Sequence, residues 1–204
     1  MMKKYILALS DAYSEENFRS GETVCLKDIG GTNCYCSAES ADLLRKRIAE
    51  IPVGALHWTD TGDYHYLTLF FIERIREPFE LVLIDHHPDD QPPAFGSPEM
   101  ISCGDWVTHA RRLENFREAE GFPVYLSIDL DFLNPEEFRT DWDQGTATLE
   151  EMSAIIRERT RGRRILGIDI CGGITRSKGA TDADLAHNKE IRERLVGLLP
   201  EINP

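Results

Sequence analysis

The chain has 204 residues, 41% of them hydrophobic, and a formal net charge of −13. That length and apolar content suit one domain with a real core and exclude wholesale disorder. The acidic balance excludes a general binder of nucleic acid or of an anionic membrane, which needs a basic face, and suits an enzyme acting on a small neutral or cationic molecule.

In chain order, apolar β-favouring runs alternate with helix-period segments. The N-terminal stretch holds two lysines and an apolar run too short for a signal-peptide core or a membrane span, so residues 5–9 are predicted as an opening strand. Further strands are predicted at 23–26, 55–58, 81–84, 100–103, 124–128 and 165–170. Helices are predicted at 40–51, at 65–75, and at 105–120, where Trp106, Val107, Ala110, Leu113 and Phe116 form one stripe. Thr148 and Glu151 form a capping box that opens a helix running to about 160. Thr181 and Asp184 open a last helix reaching 199, where Pro200 stops it. The alternation predicts a single α/β unit over 1–204, with a parallel sheet and helices on both faces. Residues 88–98, with four prolines, and residues 134–145 are predicted as irregular loops. The five cysteines, at 25, 34, 36, 103 and 171, are odd in number and include no C-x-x-C pair. They are expected to be ordinary thiols in a reducing compartment, hence a cytoplasmic location.

Two clusters carry the chemistry. Leu81-Val82-Leu83-Ile84 runs into Asp85-His86-His87-Pro88-Asp89, and Val124-Tyr125-Leu126 runs into Ser127-Ile128-Asp129-Leu130-Asp131. Open α/β sheets bind ligands at the C-terminal ends of their strands, so both clusters are expected at one edge. On an extended chain alternate side chains share a side, which lets Asp85, His87 and Asp89 converge, and Asp129 with Asp131, while His86 points away. Carboxylates packed that closely repel one another unless a cation lies among them. Hard oxygen ligands with a minority of imidazole favour two divalent ions, Mn²⁺ before Fe²⁺, Co²⁺ or Zn²⁺. The plainer reading is strand-end polarity from turn and cap residues.

These motifs, D-x-H-x-D at Asp85-His87-Asp89 and S-x-D-x-D at Ser127-Asp129-Asp131, resemble the two main metal motifs of the arginase/ureohydrolase family. The resemblance spans about residues 55–135 and extends through 173. It implies a three-layer α/β/α fold, shared with the histone-deacetylase-like enzymes, and hydrolysis of guanidino C–N bonds with two manganese ions. It implies that Asp85 and Asp129 bridge both ions, that Asp89 completes one, and that His87 and Asp131 complete the other. The family's remaining ligand is a histidine in a Gly-Gly-Asp-His motif. Here Thr61-Gly62-Asp63-Tyr64-His65 stands in its place, making His65 the counterpart and Asp63 a rival that also reads as a helix N-cap. Asp89 and Asp131 are the candidates to pass a proton to the leaving amine. Asp169, in Gly167-Ile168-Asp169-Ile170-Cys171-Gly172-Gly173, is expected to face the same pocket, as a hydrogen-bond acceptor more than a ligand, and is grouped with the catalytic candidates. The family places a glutamate three residues after that aspartate to hold the guanidinium or amine, where this chain has Gly172. Asn134-Pro135 also replaces the family's Asp-Pro, and the chain is shorter than typical members. Asp141 and Asp143 read as an acidic rim for a cationic substrate or as a solvated loop, and His109 as a packed histidine or a proton shuttle. The leading expectation is a binuclear hydrolase of a small guanidino, amidine or amide compound, with ureohydrolase relatives often forming trimers or hexamers. The alternatives are a deacetylase-like mononuclear zinc amidohydrolase and a relative that keeps metal without turnover.

Overall fold

The structure, a computed structural model, describes residues 2–93, 96–97 and 99–204. Its strands are β1 (Lys4–Ala8), β2 (Glu22–Cys25), β3 (Tyr35–Cys36), β4 (Leu56–Trp58), β5 (Phe79–Ile84), β6 (Ile101–Ser102), β7 (Phe116–Arg117), β8 (Val124–Asp129) and β9 (Ile165–Cys171). Its α-helices are α1 (Ala12–Glu15), α2 (Ala38–Arg47), α3 (Leu67–Ile72), α4 (Trp106–Ala110), α5 (Leu149–Thr160) and α6 (Asp182–Val196). Seven strands form one wholly parallel sheet in the order β2-β1-β4-β9-β8-β5-β7. The pleat sends alternate side chains to opposite faces. Tyr125 and Leu7 join the side chains of α2, α3 and α4 in one core, while Ile6, Val124, Leu126, Ile128, Ile168 and Ile170 join those of α5 and α6 in the other. The result is the three-layer α/β/α arrangement. Strands β4, β9, β8 and β5 lie side by side at its centre, because the chain leaves β4, places β5 three positions away and later fills the gap with β8 and β9. Such a reversal of strand order opens a crevice beyond the strands' C-terminal ends.

Both predicted capping boxes form: Thr148 with Glu151 opens α5, and Thr181 with Asp184 opens α6. The strand predicted at 100–103 is not part of the main sheet. It shrinks to β6, which pairs antiparallel with β3 in a separate ribbon. The helix predicted over 105–120 ends at Ala110. Phe116 instead packs edge-on against Phe79, with ring centroids 5.9 Å apart, and the Phe79 N–H donates to Asn115 O at 2.9 Å. Pairing there covers the edge of β5, which a continued helix would leave bare. The described parts of the two predicted loops hold no α-helix or strand, and residues 94, 95 and 98 of the first lie outside the described residues. No helix among the described residues is long and apolar enough to cross a membrane.

Candidate metal centre

The tips of β4, β5, β8 and β9 bring the predicted residues together, though not by strand alternation. Asp85 Oδ1 accepts the His87 N–H at 2.6 Å, and Asp129 Oδ1 accepts the Asp131 N–H at 2.9 Å. In each motif the first aspartate thus folds the backbone back over itself, as Asp side chains do in turns. Asp89 adopts φ 48°, a left-handed conformation rare outside glycine, so the segment after Ile84 bends and does not run extended. The bend carries Asp89 under the Trp106 indole, whose N–H donates to Asp89 Oδ2 at 2.6 Å.

Among the described residues four groups of ligand-type atoms result: His65 with Asp85 and Asp89, Asp85 with His87 and Asp131, His65 with Asp129 and Cys171, and the more exposed His86 with His87 and Asp143. His65 Nδ1 lies 3.1 Å from Asp85 Oδ2, 3.0 Å from Asp89 Oδ2 and 3.6 Å from Asp129 Oδ2. His87 Nδ1 lies 2.9 Å from Asp131 Oδ2 and 3.8 Å from Asp85 Oδ1. Asp85 belongs to the first two of these groups, with Oδ2 toward His65 and Oδ1 toward His87. His65 is fixed from behind, its Nε2 lying 2.8 Å from Ser127 Oγ, which is also 3.2 Å from Thr68 Oγ1. That leaves Nδ1 buried, facing three carboxylates and with no hydrogen-bond partner in good geometry. An orphaned ring nitrogen among carboxylate oxygens is a donor set suited to a cation. Burial would lower His65, but the Cys171 thiol, Asp85 and Asp89 outweigh it and hold the imidazole well above its usual range. Burial, then Asp85, raises Asp129 to about 6; burial, then Asp129 and Asp85, raises Asp131 to about 10. The protein alone supplies too little positive charge for these carboxylates, and two dications against four aspartates would bring the sum to zero.

The other predicted residues separate. Asp63 is not the N-cap, a position that Thr61 takes, and its carboxylate is engaged outside the two groups that share Asp85. It sits within a short 3₁₀ turn, and its carboxylate accepts from Asn33 Nδ2 at 2.7 Å, Trp142 Nε1 at 3.0 Å and Cys34 Sγ at 3.1 Å. Asp169 is not brought to the cluster. It stands two residues before the tip of β9, and its Oδ1 is engaged by His57 Nδ1 at 2.7 Å and the Tyr125 hydroxyl at 2.5 Å inside the sheet. His86 turns outward toward Asp143, at 3.6 Å. His109 packs on α4 with Nε2 3.7 Å from Asp105, away from the cluster's cleft, and burial lowers it. Asp141 is largely buried, whereas Asp143 faces solvent.

Sequence reasoning missed the supporting groups. Ser127 lies in the quoted motif, but its reason, the grip on His65, needs the β8 register. Trp106 reads as part of a helical stripe, although its indole reaches Asp89. Cys171 Sγ lies 2.9 Å from Asp129 Oδ2, and Cys103 lines the cleft. The cluster opens into a cleft lined also by Gly62, Gln91, Gly104 and Trp142. A Cβ on Gly62 would stand 2.9 Å from the Trp142 ring, so a larger residue there would displace that ring.

Gly172 explains the absent glutamate. Its φ is 100°, and a Cβ would meet Asp129 Oδ1 at 2.8 Å and the Leu130 backbone N at 2.9 Å. Gly172→Ala is expected to lower stability by about 1–3 kcal/mol through backbone strain and overpacking, read as a fall in Tm. Ser127→Ala is expected to weaken metal binding about 10- to 100-fold by releasing His65, checked by calorimetric titration.

No family model matches the chain. An uncharacterized protein of Thermotoga maritima is 32% identical over 139 residues, so the match spans about half of each: 54% of this chain and 55% of that protein. Among solved structures, proclavaminate amidino hydrolase from Streptomyces clavuligerus superposes with a TM-score of 0.65 at 12% identity, covering 97% of this chain and 91% of that one. Formimidoylglutamase from Bacillus subtilis gives 0.63 at 11%, covering 96% and 85%, and a hypothetical agmatinase from Burkholderia thailandensis gives 0.62 at 14%, covering 97% and 85%. An arginase from Medicago truncatula gives 0.64 at 13%, covering 97% and 87%. With its wholly parallel central sheet and helices on both faces, the chain has the arginase/ureohydrolase fold.

Proposed function

We propose that this chain is a divergent arginase/ureohydrolase relative that binds two divalent ions, manganese by the hardness of its ligands, and hydrolyses a C–N bond of a small guanidino, amidine or amide compound. One observation carries the reading: Asp85 is shared between the His65/Asp85/Asp89 group and the Asp85/His87/Asp131 group. Asp129, 3.6 Å from His65 and beside Asp131, would be the second shared carboxylate. Structural neighbours named as an amidino hydrolase and a formimidoylglutamase support the choice of bond.

When bound, paired dications acidify a water and polarise the group under attack. The chain's residues do the remainder. Ser127 holds His65, and Trp106 holds Asp89, so those side chains are oriented before substrate arrives. Asp131 accepts the His86 N–H at 3.2 Å and meets His87, whose side chain is 34% exposed at the cleft mouth. A proton taken up at Asp131 therefore has a path through His87 to solvent or to a leaving amine. Asp169 has no place in this route, since its partners lie inside the sheet.

The second cluster, with Asp131 beside Asp85 and His87, speaks against a mononuclear zinc centre. The test is metal analysis after Mn²⁺ loading, with a hydrolysis screen of guanidino, formimino, ureido and acyl-amine compounds. Two Mn²⁺ per chain and Mn²⁺-dependent release of ammonia, urea or an amine are expected. Two ions without turnover of any compound would leave a metal-binding relative that is no enzyme, and one ion with Zn²⁺ the most active metal would favour the mononuclear alternative.

A further inference from the structure

Trp142 is a partition between two clefts. One side lines the cleft of the metal cluster, and the same residue lines a second, more open cleft with Arg139, Asp141, Gln144, Ile174 and Lys178. The partition is anchored by the bond from its indole N–H to Asp63.

Asp141 lines that second cleft, and one of its two carboxylate oxygens has no hydrogen bond among the described residues. Its side chain is only 8% exposed, and Oδ1 is fully buried with no hydrogen bond among the described residues. Burial, and then the neighbouring Asp63 carboxylate, hold its carboxyl above the usual range. The nearest countercharge is Lys178, whose Nζ is 3.7 Å from Oδ2 on a side chain 55% exposed. A buried carboxylate oxygen left unpaired is costly, and a long solvent-facing lysine at that distance is a replaceable counterion. Asp141 is also tied to the backbone that follows β9. Its N–H donates to Gly173 O at 3.3 Å, in the turn in which Gly172 has no room for a side chain.

We infer that Asp141, backed by Asp63 and walled by Trp142, binds the cationic group of the substrate, an ammonium, amidinium or guanidinium, taking the place that Lys178 fills in the free protein. That the bound molecule is then hydrolysed rests on the proposed function; the binding itself does not.

The test is calorimetric titration of the Mn²⁺-loaded protein with butylguanidinium and with its neutral counterpart, butylurea. The wild type is expected to bind the cation at least about tenfold more tightly, as a charge-assisted hydrogen bond implies. Asp141→Asn is expected to lose that preference while keeping its full Mn²⁺ content. Lys178→Ala is expected to tighten cation binding about threefold or more by removing the competitor, and it carries the test alone should Asp141→Asn fail to fold. Failure of the wild type to prefer the cation, unchanged preference in Asp141→Asn, or unchanged affinity in Lys178→Ala overturns the assignment. Absence of any C–N hydrolysis would defeat the proposed function and leave these titrations readable.

Discussion

Replacing Asp85 with asparagine is expected to disable both metal positions at once and to lower any C–N hydrolysis by about 10³-fold or more, since loss of even one preorganised electrostatic group costs about 10²–10³. Among the described residues, Asp85 is the carboxylate common to the His65/Asp85/Asp89 and Asp85/His87/Asp131 groups. Asparagine keeps the volume and can still accept the His87 N–H, so the turn after Ile84 is retained. Removing one negative charge from a crowded, buried set relieves repulsion on Asp89, Asp129 and Asp131, each of which Asp85 raises. The variant is therefore expected to melt higher than the wild type in chelator and lower than it in saturating Mn²⁺. This crossing of the two melting orders is the diagnostic, because a purely structural aspartate would shift both in one direction. Metal analysis and melting curves with and without Mn²⁺ check it.

The second large effect is a pH dependence that metal reverses. In metal-free protein Asp129 is raised to about 6 and Asp131 to about 10, both from an ordinary 3.8. A carboxyl raised on folding keeps its proton in the native state after the unfolded chain has lost it. The native state thus binds more protons between pH about 4 and about 10, and stability falls as pH rises through that window. His65, held above its ordinary 6.5, has the same sign: its contribution is full below that value and is lost as pH rises through the raised one. Between pH 5 and 9 in chelator, Tm is expected to fall by about 10 °C, given about 2–4 °C per kcal/mol for a chain of this size. Metal binds the deprotonated ligands, so saturating Mn²⁺ adds stability that grows with pH, about 2.7 kcal/mol at a hundredfold excess over Kd. A flat or rising Tm in chelator would show that the carboxylates are not held together as described.

The centre of the fold was legible in the chain because its signals are local. Apolar runs ending in aspartate and histidine mark β5 and β8, and the two capping boxes mark α5 and α6. His65 was legible as a candidate, but choosing it over Asp63 required the contacts of Asn33, Cys34 and Trp142, all distant in sequence from residue 63. β7 was hidden because Phe116 fits a helical stripe as well as it fits a strand edge, and only Phe79 across the sheet decides. Asp169 shares its strand with Cys171, and two residues of depth separate a place beside Asp129 from a buried bond to His57 and Tyr125. The convergence of D-x-H-x-D was anticipated for the wrong reason: it comes from a left-handed Asp89 and side-chain-to-backbone turns, which no period-2 pattern encodes.

The proposed chemistry needs a pair of neighbouring cation positions that share Asp85. Diffraction from crystals soaked in Mn²⁺, recorded at the manganese absorption edge, tests it most directly. Two anomalous peaks are expected, one among His65, Asp85, Asp89 and Asp129 and one among Asp85, His87, Asp129 and Asp131. A single peak, or none in excess manganese, would contradict it.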